Sequence, residues 1–108
     1  MSTKTEEQPQ GLDEKFFERA DEHINIANNH INAKMEPRLV STSLMFASAR
    51  FNAWISASGF KNGEELKERK KELIEYFTSQ YSSMIEENLD NYADNYDLYM
   101  GISKEQTK

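Results

Sequence analysis

The stretch Ser41–Gly59, STSLMFASARFNAWISASG, decides the reading of this chain. Leu44, Ala47, Phe51, Trp54 and Ile55 recur at intervals of three and four and mark one helical face, while Phe46, Ala49, Ala53 and Ala57 mark a second. Ser48, Asn52 and Ser56 form a narrow polar strip, and Arg50 is the only charge. The spacing predicts a helix from about Thr42 to Ser58, opened by the Ser41–Thr42–Ser43 cluster and closed by Gly59 as a left-handed cap with Phe60 folding back onto Ile55. A helix so broadly apolar must be covered on more than one side, and Phe51 and Trp54 are expected to be buried.

Upstream, Phe17, Ala20, Ile24, Ala27 and Ile31 keep the helical period, so a first helix is predicted over about 13–34, with Asp13 as N-cap and Leu12 stapled against Phe17. Its asparagines at 25, 28, 29 and 32 are mediocre helix formers, so it depends on packing. Pro37 biases Glu36 out of the helical region, which sets the first turn at about 35–41. Downstream, Asn62 with Glu65 reads as a capping box opening a third helix. Leu66, Leu73, Ile74, Phe77, Tyr81, Met84 and Ile85 form its stripe, which Leu89, Tyr92, Tyr96 and Tyr99 extend with a drift. One long helix ending at Gly101, or a break near Asp90 and Asn91 followed by a short fourth helix, fits equally well.

The expected architecture is all-α: a three-helix up-down-up bundle with a long C-terminal helix, spanning residues 12–101 as one domain between disordered tails at 1–11 and 102–108. A chain of 108 residues has room for one core. An apolar share of 37% beside 30% charged residues is lean, although twelve aromatics compensate by area. Absence of cysteine removes disulfides, thiol catalysis and thiolate metal sites, and suits a reducing, bacterial-type cytoplasm. No apolar run offers a signal peptide or membrane span.

The net charge is −6, concentrated toward the C-terminus, where residues 64–100 hold ten acids against four bases. Such a surface repels phosphate backbones, so neither nucleic acid nor membrane is an expected partner. The basic residues Lys67, Arg69, Lys70 and Lys71 alternate with Glu64, Glu65, Glu68, Glu72 and Glu75 at helical neighbour spacings and read as a self-paired, solvated face.

The sequence holds few marks of chemistry. His23 and His30 stand seven residues apart, roughly 10.5 Å along a helix, and Ala20 and Ala27 occupy the positions where a carboxylate–histidine motif needs glutamate. The aspartates between 90 and 97 lack a calcium loop's glycine and closing glutamate. No serine is marked as activated, and the glycines at 11, 59, 63 and 101 form no phosphate-cradling loop. No metal, cofactor or catalytic residue is therefore expected. Arg50 is the side chain of interest, as a structural ion pair or, alternatively, as the contact for an anionic ligand in an apolar pocket lined by Phe46, Phe51, Trp54 and Tyr81. Tyr92, Tyr96 and Tyr99 read as a core edge.

Three segments carry a likeness: FFERADEHINIAN (16–28), STSLMFASARFNAWISA (41–57), and 64–100 with its EYF, EENLDNY and YDLYM elements, of which ASARFNAW and EENLDNY are the more specific. The chain resembles a family of small bacterial proteins classed as a domain of unknown function. The resemblance implies a three-helix bundle, no activity, and no site residues to carry over. The functional expectation is a non-enzymatic cytoplasmic protein acting by association. A homodimer is expected, with Ala49, Ala53 and Ala57 giving a second subunit's helix close approach.

Overall fold

The computed structural model describes residues 13–101. The staple from Leu12 and the two tails expected at 1–11 and 102–108 lie outside these residues. The chain is all-α, and no strand occurs among the described residues. The helices are α1 (Phe16–His30), α2 (Pro37–Ala57), α3 (Gly63–Glu68) and α4 (Lys70–Asp94), followed by a π-helical segment, Asp97–Gly101. They divide into two compact units, Met1–Trp54 and Ile55–Lys108.

In the first unit, Asp13 stands ahead of α1 as a turn residue. Its carboxylate accepts from the Lys15 N–H at 2.9 Å and from both terminal nitrogens of Arg19 at 3.3 and 3.0 Å. The Arg19 guanidinium, helped by the Lys15 amide, holds the Asp13 carboxyl below its ordinary value. Helix α1 stops at His30, four residues short of the expected Lys34. Asn32 captures the chain there, its Oδ1 accepting from the Lys34 and Met35 amides at 2.8 and 3.0 Å. The turn consequently falls at 31–36 instead of 35–41. Pro37 opens α2 because a first-turn residue has no use for the missing N–H and its fixed φ is already helical. Val40, on that first turn, is buried.

The second unit begins in the last turn of α2. Gly59 does not adopt left-handed backbone, contrary to expectation. Bonds spanning three residues tighten the exit instead, Gly59 N–H to Ser56 O and Phe60 N–H to Ala57 O, each 3.1 Å. The capping box is present: Asn62 Oδ1 accepts from the Glu65 N–H at 2.9 Å, and Glu65 Oε1 accepts from the Lys61 N–H at 2.9 Å, one residue earlier than the usual return bond. The expected third helix is realised as two that touch each other, interrupted at Arg69 (φ −101°, ψ 5°). Arg69 Nε bonds Glu72 Oε1 at 2.7 Å across the break. Phe60, Leu66, Leu73 and Phe77 are the half-buried apolar residues of this region. Helix α4 then runs unbroken through Asp90 and Asn91, so the interruption left open there falls at Asn95.

Candidate functional site

Helix α2 is held by its own alanines and by polar side chains that turn inward on it. Thr42 Oγ1 donates to Arg38 O at 3.1 Å, Ser58 Oγ to Ile55 O at 2.6 Å, and Asn52 Nδ2 to Ser48 Oγ at 3.5 Å. With those groups satisfied locally, the rest of the circumference is left to apolar side chains, and it faces water. Phe46 is 66% exposed, Phe51 59% and Trp54 67%. This corrects the expectation that Phe51 and Trp54 are buried. Periodicity identifies which residues share a face, whereas burial depends on what is laid over that face. The two rings pack on each other at 6.0 Å between centroids with planes inclined by 36°. Leu39, Leu44, Met45 and Ile55 are exposed as well. At about 150 to 200 Å² of side-chain surface each, the seven leave on the order of 600 Å² of apolar surface open on α2, spread over most of its circumference.

Arg50 projects from inside this apolar arc, between Phe46 one turn before it and Trp54 one turn after. It is exposed and has no hydrogen-bond or ion-pair partner among the described residues, so the expected structural ion pair is not formed there. Ala49 and Ala53 are exposed and Ala57 is half-buried. Phe46, Phe51 and Trp54 all belong to the first unit, whereas Tyr81 lies on α4 in the second and is itself exposed.

The histidines behave as ordinary helix residues. His23 Nδ1 lies 2.8 Å from Arg19 O, where it donates in the matching tautomer. Among the described residues no three histidine or carboxylate groups gather where a metal ion could sit. Asp90 and Asp94 lie on α4 and Asp97 opens the π segment.

One feature of the C-terminal region escaped the sequence reading. On a regular α-helix Tyr92 and Tyr99 would stand about 10.5 Å apart along the axis. The interruption at Asn95 and the wider π turn bring their rings to 4.6 Å between centroids. Asn95 Nδ2 donates to the O and Oδ1 of Asn91 at 2.9 Å, and Asn91 Nδ2 donates to Tyr99 Oη at 3.3 Å, forming a small clasp. Asparagines at 91 and 95 with tyrosines at 92 and 99 were the available signal, masked by helical spacing.

The model of a family of proteins of unknown function, DUF3144, matches residues 16–93, which span α1 through most of α4. The chain belongs to the DUF3144 family. An NMR structure of the protein NB7890A from a Shewanella species is similar to this DUF3144 chain, with 32% identity and a TM-score of 0.70 over 86% of this chain and 98% of that one. No curated protein matches. Membership agrees with the resemblance seen in the ASARFNAW and EENLDNY segments, while the DUF3144 description names no reaction or ligand. No described helix of this DUF3144 chain is long and apolar enough to cross a membrane.

Proposed function

We propose that this protein is a non-enzymatic helical protein of the bacterial cytoplasm that works by self-association, as a homodimer closed through α2. The observation that carries the reading is the open apolar circumference of α2, where Phe46, Phe51 and Trp54 each keep more than half of their surface in water. Apolar surface on this scale is stabilised by being covered, at about 25 cal/mol per Å², and marks an association site. Exposed Ala49 and Ala53 leave room for a helix axis to come close. Neither nucleic acid nor membrane suits an acidic surface of this kind. Light scattering coupled to gel filtration tests the reading: Ala53→Glu places a charge in the contact and converts the dimer to monomer while helicity is retained. An Ala53→Glu variant that dimerises as the wild type does would remove α2 from the contact.

The guanidinium of Arg50, without a partner among the described residues and set between two aromatic side chains, favours one second reading: a small-molecule binder in which Arg50 takes the anionic group and Phe46, Phe51 and Trp54 of α2 supply the apolar contact. Thermal stabilisation by small aromatic carboxylates, abolished in Arg50→Gln, would support it. Equal melting temperatures with and without those compounds would remove it.

A further inference from the structure

Resting on the self-association reading, we infer that α2 is covered by α4 of a second copy, so that a two-fold dimer contains two equivalent α2–α4 contacts and Arg50 meets a carboxylate on the other chain's α4. Charge decides the occupant first. Helix α2 carries Arg38 and Arg50 and no acid over 21 residues. Arg38 is already paired with Glu36 at 3.0 Å, so pairing α2 with its own copy would bring together two Arg50 side chains with no carboxylate left for either, leaving Arg50 desolvated and unpaired. Helix α4 carries six acids and two lysines over 25 residues. Its apolar stripe, Ile74, Tyr81, Ile85, Leu89 and Tyr92, is exposed in the same way as the face of α2. At about 100° per residue, Glu75 and Glu86 lie along one flank of that stripe. Both are exposed, and neither has an ion-pair partner among the described residues.

Area and length agree. The side of α2 around Arg50, with Leu39, Phe46, Phe51 and Trp54, offers roughly 450 Å², which falls short of the roughly 800 Å² per partner of a standard interface, but adding about 500 Å² from the α4 stripe exceeds it. The two helices extend about 31 and 37 Å, so they match along their lengths. With midpoints aligned, a parallel pairing sets Arg50 beside Glu86, and an antiparallel pairing brings it nearest Glu75, about one turn away.

The test uses the full chain and reciprocal charge exchange. Arg50→Glu alone, Glu86→Lys alone and Glu75→Lys alone are compared with equimolar mixtures by sedimentation equilibrium, with helicity checked by circular dichroism. Arg50→Glu raises the dimer dissociation constant tenfold or more. Mixing it with Glu86→Lys, or with Glu75→Lys in the antiparallel case, restores wild-type affinity as a heterodimer, because each α2 then faces a complementary α4 on the other chain. Pairing within one chain would gain nothing from mixing. Because the chain has no cysteine, an independent measurement is available: Arg50→Cys mixed with Glu86→Cys or Glu75→Cys gives a disulfide-linked heterodimer on mild oxidation. Failure of both mixtures to recover affinity, or Arg50→Cys linking chiefly to its own copy, would overturn the α2–α4 assignment while leaving self-association standing. A wild-type chain that stays monomeric would instead overturn self-association itself.

Discussion

Replacing Trp54 by alanine separates the stability of the chain from the strength of its association. Trp54 is 67% exposed on α2. Of the roughly 250 Å² available to a tryptophan side chain, about 170 Å² is therefore open to water. At about 25 cal/mol per Å² its complete covering is worth about 4 kcal/mol per subunit, an upper bound on area alone. A methyl group retains a small share, and area overstates affinity because ordering and desolvation oppose it. A loss of about 2.8 kcal/mol per dimer is the expected minimum, a hundredfold rise in dissociation constant. The helicity of the variant is unchanged, since alanine is the better helix former and little packing within the chain is lost. Because Trp54 is the chain's one tryptophan, its emission reports the site directly, shifting to shorter wavelength as wild-type protein is concentrated through the dimer transition. Sedimentation of Trp54→Ala over the same range supplies the affinity. An unchanged dissociation constant, or emission indifferent to concentration, would refute the placement of Trp54 in the contact.

Two further outcomes concern local structure. The Asp13 carboxyl is held below its ordinary value by Arg19 and the Lys15 amide, so its contribution is present above the unfolded value of about 4 and is lost as pH falls through the lower folded one. Asp13→Asn removes that part of the acid dependence of α1 helicity, and a carboxyl titration by NMR that returns the ordinary aspartate value would contradict the pairing. Asn62→Ala deletes the cap of α3 and lowers stability by about 1 kcal/mol in thermal melting, whereas Asn62→Asp preserves it. Equal losses in the two variants would show that the side-chain acceptor is not what matters.

Much of the local structure was legible because local chemistry decides it. The Asn62–Glu65 box was read from residue types three apart and is formed. The helical class followed from stripes that keep their period in α1, α2 and α4. The ends were less legible where two local signals compete: Asn32 took the chain into its own turn before Lys34, and Pro37 served as an opening residue where it was read as belonging to a turn. The interruption at Arg69 has no glycine or proline to announce it. The face of α2 was read correctly as apolar, yet its burial was not, because periodicity shows which residues share a face and carries no information about what is laid over it. The same holds for Arg50, whose partner was sought within the chain and is not there among the described residues.

Sedimentation equilibrium of the wild-type chain across the micromolar range tests the central claim most directly. Self-association through α2 gives a species of twice the 12.6 kDa chain mass that dissociates on dilution. A single species at 12.6 kDa throughout that range would contradict it.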